Sequence, residues 1–225
     1  MKKIGILIFI IAIIVGVVFA NLFSFGRITG KLVNFSVGTS VKGSGNLGSE
    51  VRTAEDFQGV DVSGVFKVEV TAGKEFSVQV EADDNLLPYV RTEVEQGILH
   101  IEMTEGVKSE NPLRVLVTAP DIESVEASGS TTVSVTGIKN SSLEIDASGH
   151  SKVKVDGETD EVSVAVSGSS SVDAEALKAR TASVDSSGAS SASVFVTEQL
   201  ASNASGASKI FYSGNPSSVA KSTSG

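Results

Sequence analysis

Apolar and polar residues alternate along most of the chain after residue 50, as expected for strands with one buried face. Clear examples are residues 66–70, 76–80 and 99–101. Residues 83–90 fit a short helical interruption, which Pro88 limits to a single turn. The pattern therefore predicts an all-β domain.

A repeat of about 20 residues dominates the second half of the chain. A Ser-Gly pair recurs at spacings of 20, 19, 20 and 18 residues. Its glycines are Gly129, Gly149, Gly168, Gly188 and Gly206. Of the ten residues that lie four and six positions after these glycines, nine are aliphatic. Eight of the ten residues that lie four and two positions before these glycines are also apolar, the exceptions being Ser186 and Ser202, so each repeat holds two short strands.

A two-strand unit of this size cannot bury its apolar face alone, so successive units must stack. We predict a right-handed parallel β-helix, or β-solenoid, with coils about 4.8 Å apart over residues 49–225. Glycine at the corner accepts backbone angles that a Cβ forbids, and the serine beside it can bond an unpaired backbone group. The predicted structural corner ladder consists of Ser63, Gly64, Ser128, Gly129, Ser148, Gly149, Ser167, Gly168, Ser187, Gly188, Ser205 and Gly206.

Two parts of this domain are less regular. Residues 65–128 have room for about three coils but carry the longest polar insertions, so both regular coils and an antiparallel cap stay open. Residues 213–225 lose the apolar alternation and include Pro216. This is expected of a terminal coil whose polar residues and proline hinder pairing of the exposed sheet edge with another chain.

The N-terminal segment is hydrophobic and distinct from the rest. Lys2 and Lys3 precede a run without charges, residues 4–25. As a helix it would be about 33 Å long, enough to cross a membrane, and the lysines place its start in the cytoplasm. We predict an N-terminal transmembrane helix, with a cleaved signal peptide as the alternative because residues 18–20 offer a plausible cleavage site.

This segment sets the expected organisation and location of the chain. Residues 1–25 are the predicted anchor or signal peptide, and residues 26–48, rich in Gly, Ser and Thr, are the predicted tether. The domain that follows is expected outside the cytoplasmic membrane, in the periplasm or on the cell surface. With no cysteine in the chain, a lipid-modified cysteine, disulfides and thiolate metal sites are excluded.

Basic and acidic residues are distributed unevenly between the N-terminal part of the chain and the predicted domain. Residues 1–42 carry five Lys and Arg and no acid, so the remainder carries 13 basic against 27 acidic residues, a net charge of −14. An acidic exported domain is repelled by phosphate backbones. Nucleic acid is therefore not an expected partner, whereas the membrane and a glycan or protein ligand are.

Several segments together resemble a known bacterial family, the putative auto-transporter adhesin, head GIN domain. The resemblance covers roughly residues 43–215 and rests on the GSGN sequence at 43–46, on residues 57–64 and 78–87, and on the Ser-Gly repeats. Where members of the family often have Gly-Ile-Asn, this chain has Val-Phe-Lys at 65–67. The resemblance implies an exported β-helical domain with a surface or adhesive role, and it supplies no catalytic residues.

Two short motifs suggest chemistry that their context does not favour. Gly43, Gly45 and Gly48 match the dinucleotide-binding spacing, but no strand precedes them and no helix follows. Ser148 and His150 flank a corner glycine, yet the same Ser-Gly recurs without histidine. We therefore predict no cofactor site and no catalytic residue.

Residues that could bind a metal ion or a polysaccharide are present, but their arrangement does not favour either site. Residues 81–85 hold Glu81, Asp83, Asp84 and Asn85, a set that suits calcium but is expected to be a solvated turn. His100 is expected to face solvent from a strand, and no metal site is predicted. β-Helical polysaccharide lyases and hydrolases place carboxylates and basic side chains in a long groove. The basic candidates in the second half of this chain are Lys152, Lys154, Lys178 and Arg180, and they do not recur at equivalent positions of the repeat.

The sequence thus favours a non-enzymatic, adhesin-like or ligand-binding module of the cell envelope. A carbohydrate-active β-helical enzyme is the first alternative, and convergence of acidic and basic side chains in one groove would favour it. A purely structural envelope protein is the second alternative, which flat polar surfaces without concavity would favour.

Overall fold

A computed structural model describes residues 40–224, and they form an all-β fold. The strands are β1 Val41–Lys42, β2 Leu47–Arg52, β3 Gly59–Gly64, β4 Lys67–Ala72, β5 Ser77–Asp83, β6 Val90–Glu95, β7 Ile98–Met103, β8 Val107–Lys108, β9 Arg114–Ala119, β10 Ser124–Gly129, β11 Thr132–Ala147, β12 Lys152–Val166, β13 Ser171–Ser186, β14 Ser191–Ser205, β15 Lys209–Gly214 and β16 Ser218–Ser224. Among these residues the one helical element is a single 3-10 turn, Leu87–Tyr89, inside the predicted interruption.

The strands build a β-solenoid of about five turns. β11 to β14 are 15 or 16 residues long, and each pairs in parallel with the next along nearly its whole length. Each of these strands contributes its first half to one face and its second half to another. The predicted stacking of 20-residue coils is therefore present in the second half of the chain.

Two faces run along the solenoid. The first face contains β7, β3 and β10, the second halves of β11 to β14, and finally β16. The second face contains β2, β5, β9 and β4, the first halves of β11 to β14, and finally β15.

The region that the sequence left open, residues 65–128, has a mixed topology. β5 pairs antiparallel with both β2 and β9, and β6 pairs antiparallel with β7. β4, β9 and β10 pair in parallel with neighbouring strands. Antiparallel strands thus cap this end of the solenoid.

The ordered domain includes part of the predicted tether. β1 pairs with β8, and β2 pairs with β5, so residues 41–48 contribute to the folded domain. The predicted anchor or signal peptide and residues 26–39 of the tether lie outside the described residues. Within residues 40–224, no helix is both long and apolar enough to span a membrane.

The core lies between the faces and consists of the inward positions counted from the corner glycines. Val125, Ile145, Val164 and Val184, four positions before a glycine, are each at most 1% exposed. Because side chains alternate along a strand, these residues stack in one buried column from coil to coil. The last coil differs, since Tyr212 in an inward position is 40% exposed.

Candidate functional site

The corner glycines occupy one column along the first face. The N–H of the residue after each glycine donates to the carbonyl oxygen of the glycine one coil earlier, at 2.7 or 2.8 Å. The glycines have positive φ angles, for example 71° at Gly168. A Cβ on Gly168 would lie 2.8 Å from the carbonyl oxygen of Gly149. The column therefore leaves no space for a side chain at this corner.

A second set of hydroxyls, which the sequence analysis did not single out, lies beside the corners. We call it the inner hydroxyl column: Thr131, Ser151, Ser170, Ser190 and Ser208, each two positions after a corner glycine. The Ser190 hydroxyl donates to the carbonyl of Ser187 at 2.8 Å, and the Ser208 hydroxyl donates to that of Ser186 at 2.8 Å. The hydroxyls of Thr131 and Ser151, in contrast, are buried without a partner in the described residues. The detectable signal was the fuller motif Ser-Gly-x-Ser/Thr.

The serines before the glycines lie at the corners, but within residues 40–224 most of their hydroxyls do not bond the backbone in the way expected. Of these serine hydroxyls only that of Ser128 lies near a backbone acceptor in the described residues, 3.5 Å from the carbonyl of Val62. They instead line a groove of about 730 Å³ on the first face. We call this wall the serine column: Ser63, Ser128, Ser148, Ser167, Ser187 and Ser205.

The opposite wall of the groove is acidic. We call it the acidic column: Asp61, Glu126, Asp146, Ala165, Asp185 and Asn203, which pair in this order from coil to coil. Each of its residues lies three positions before a corner glycine, a spacing visible in the sequence. Between the two walls the strand backbone is at the surface, because the side chains of Ala127 and Ala147 point inward and are buried in the core. The result is a long polar channel whose floor is strand backbone.

The carboxylates of the acidic column influence one another. Partial desolvation raises the pKa of Glu126, and the negative charges of Asp61 and Asp146 raise this pKa further. Desolvation likewise raises the pKa of Asp146. The middle of the groove therefore favours ligands that donate hydrogen bonds to carboxylates or that carry positive charge.

His100 lies at the cap end of the acidic column. It pairs with Asp61 across β7 and β3, and its Nδ1 is 3.0 Å from the Asp61 Oδ2. The His100 side chain is 32% exposed, whereas its neighbours Leu99 and Ile101 are buried, so His100 faces outward from the strand as predicted, and the contact with Asp61 is the new feature. This contact could not be predicted from local sequence, because His100 and Asp61 are 39 positions apart.

The basic residues that the sequence suggested for a polysaccharide groove lie outside the groove of the first face. Lys154 on the second face is 3.5 Å from the Asp173 carboxylate, and no lysine or arginine is among the described residues that line the groove. Lys178 and Arg180 lie within β13 rather than in a turn between strands, and the Arg180 guanidinium is 2.9 Å from the Glu198 carboxylate. Acidic and basic side chains thus do not converge in the groove.

The predicted acidic turn is solvated only in part: Asp84 and Asn85 are exposed, as expected, but Asp83 is not. Asp83 is fully buried, although we expected a solvated turn. Burial by itself would raise the pKa of the Asp83 carboxyl, but hydrogen bonds from residues 109–111 outweigh it and hold that pKa below its ordinary value. The Ser44 N–H donates to the Asn85 side-chain oxygen at 2.8 Å. Residues 43–46 thus dock onto residues 83–85, and both motifs hold the first strands to the cap.

The fold and the groove define the class of the protein, a β-solenoid with an extended polar channel on one face. The chain belongs to the family described as putative auto-transporter adhesin, head GIN domain, whose model matches residues 56–216. No curated protein matches the chain.

Solved structures share the fold. A putative adhesin from Bacteroides fragilis has a TM-score of 0.68 at 19% identity, covering 83% of this chain and 97% of its own. A putative lipid binding protein from Parabacteroides distasonis has a TM-score of 0.53 at 21% identity, covering 83% of this chain and 98% of its own. At these identities the similarity establishes the architecture alone.

Proposed function

We propose that this chain is a non-enzymatic, adhesin-like module of the cell envelope that binds an extended glycan along the groove. The observation that carries the proposal is the pair of polar columns that follow the groove from coil to coil. Their rungs repeat about every 4.8 Å, so the groove presents the same contacts many times to a chain-like ligand.

Sugar hydroxyls suit both walls of this groove. Carboxylates accept hydrogen bonds from hydroxyls, and serine hydroxyls both donate and accept. The side chains of Ala127 and Ala147 are buried in the core, so the floor between the two walls is strand backbone, whose flat surface leaves space for sugar rings. Each contact is weak by itself, but repetition along one ligand adds them within a single binding event.

Display outside the cytoplasmic membrane is part of the proposal. It is supported by the hydrophobic run at residues 4–25 with Lys2 and Lys3 before it, and by the adhesin description of the family. We also propose that the coils wind in the right-handed sense, as crossovers between parallel strands almost always do.

A glycan array probed with the full chain in detergent micelles tests this function. We expect binding to a subset of polysaccharides, and we expect the double variant Glu126→Ala/Asp146→Ala to bind at least about tenfold more weakly, or 1.4 kcal/mol. The matched control is Glu161→Ala/Glu175→Ala, which removes the same charge from exposed strand positions outside the groove that form no ion pair within residues 40–224. An array without binding, or equal losses in both variants, would contradict the proposal.

A carbohydrate-active enzyme is the second candidate, and one arrangement favours it. Glu126 lies between Asp61 and Asp146 on neighbouring rungs, and its raised pKa is what a general acid requires. Retaining glycosidases place two carboxyl groups about 5–5.5 Å apart, close to the spacing of rungs. Release of new reducing ends from a bound glycan, lost in Glu126→Gln while binding persists, would decide for the enzyme.

A further inference from the structure

The two ends of the second face are exposed sheet edges. β2 is the last strand at the cap end and β15 is the last at the other end, and within residues 40–224 no strand pairs with either outer edge. Unpaired edges present free N–H and C=O groups and tend to pair with another chain. We call β2 with β6 the head, and β15 with β16 the tail.

Exposed apolar side chains concentrate at these ends. The described residues include six exposed large hydrophobic side chains, and five of them lie on the head or the tail. On the head they are Leu47 and Val51, and on the tail they are Phe211, Tyr212 and Val219. Such side chains at sheet edges are typical of surfaces that another molecule covers.

The strand order makes the two edges compatible. β2 and β9 are both antiparallel to β5, so β2 runs in the same direction as β9 and hence as β15. Phe211 pairs with a residue of the neighbouring strand, that residue pairs with one of the next strand, and this series of paired residues ends at Val51 on β2. These two exposed residues therefore occupy one column at opposite ends of the same sheet.

Charge favours contact between a head and a tail. From residue 207 to 224 the chain contains Lys209 and Lys221 and no acidic residue. The strands of the head carry three glutamates, Glu50, Glu93 and Glu95, against two arginines. The head glutamates pair with these arginines, so the head strands keep a net charge of −1. Two tails would bring four lysines together, whereas a tail on a head brings two lysines to a surface of opposite net charge.

We propose that copies of this chain stack head to tail, with β15 of one copy pairing in parallel with β2 of the next. The stack continues the second face across the interface and places Phe211 beside Val51 of the neighbouring copy. Tyr212 then faces Arg52, which already pairs with Glu50 at 3.1 Å and so enters the interface as a neutral pair. Because this contact is not isologous, each copy keeps a free head or tail, and stacking along the solenoid axis repeats the contact as an open filament.

Disulfide trapping tests the proposal cleanly, because the chain contains no cysteine. The full chain in detergent micelles is prepared as two single variants, Phe211→Cys and Val51→Cys, and each is checked for unchanged thermal unfolding. Both positions are exposed, so both variants are expected to fold. Under mild oxidation the mixture is expected to form several-fold more disulfide dimer than either variant alone.

A lateral cysteine provides the matched control. Ser183→Cys lies exposed on the first face and is expected to give little dimer with Phe211→Cys. Efficient dimers from Phe211→Cys alone would instead show tail-to-tail pairing and overturn the proposal. So would equal trapping by Ser183→Cys, or no dimer in the mixture at any concentration.

Discussion

Replacement of Val164 by Asp is expected to lower the free energy of unfolding by about 4 kcal/mol or more. Val164 is 1% exposed and stacks between Ile145 and Val184 in the neighbouring coils. A carboxylate there would lie among aliphatic side chains without an opposite charge. Chemical denaturation followed by circular dichroism measures the effect.

The matched control for this charge is Ser183→Asp. Ser183 is exposed on the first face and pairs with Ser163 and Ala201, so a new carboxylate stays in water. Its expected effect is within about 0.5 kcal/mol. Equal denaturation midpoints for the two variants would show that the inward register of this strand is wrong.

Replacement of Gly168 by Val is expected to lower the free energy of unfolding by at least about 3 kcal/mol. A β-branched residue is strained at a φ of 71°. Its Cβ would also lie 2.8 Å from the carbonyl oxygen of Gly149, where the Ser169 N–H now donates at 2.8 Å. The neighbouring coil must shift, and the hydrogen bond between the two corners is weakened.

Ser169→Val is the control for the corner variant. Ser169 is exposed and lies one position further along, where its backbone N–H makes the bond but its side chain faces solvent. We expect a change within about 0.5 kcal/mol. If Gly168→Val were equally harmless, the corner would not be a close contact between coils.

The repeat could be predicted because its constraints are local and strict. An inward position must be apolar in every coil, and a corner with positive φ must be glycine, so both recur in the sequence at a fixed spacing. The cap could not be predicted in the same way. Strands in antiparallel and parallel pairs show the same alternation, and only the long-range pairing of β5 with β2 and β9 decides the topology.

The groove was missed for a different reason. Its walls face outward, where the fold tolerates many residue types, and Ala165 interrupts the acidic column. Counting three positions before each corner glycine would have found Asp61, Glu126, Asp146 and Asp185. Asp83 could not be identified as buried, because its burial depends on residues 109–111, which are distant in sequence.

The central claim is that the Ser-Gly corners lie in one column, and electron spin resonance distances test it most directly. Spin labels on cysteines at Ser63 and Ser205 are separated by five coil spacings, so the account predicts about 24 Å between their attachment points. Labels at Ser63 and Ser187 should be closer by about one spacing, or 5 Å. Distances that do not grow with the number of intervening coils would contradict the stacked column.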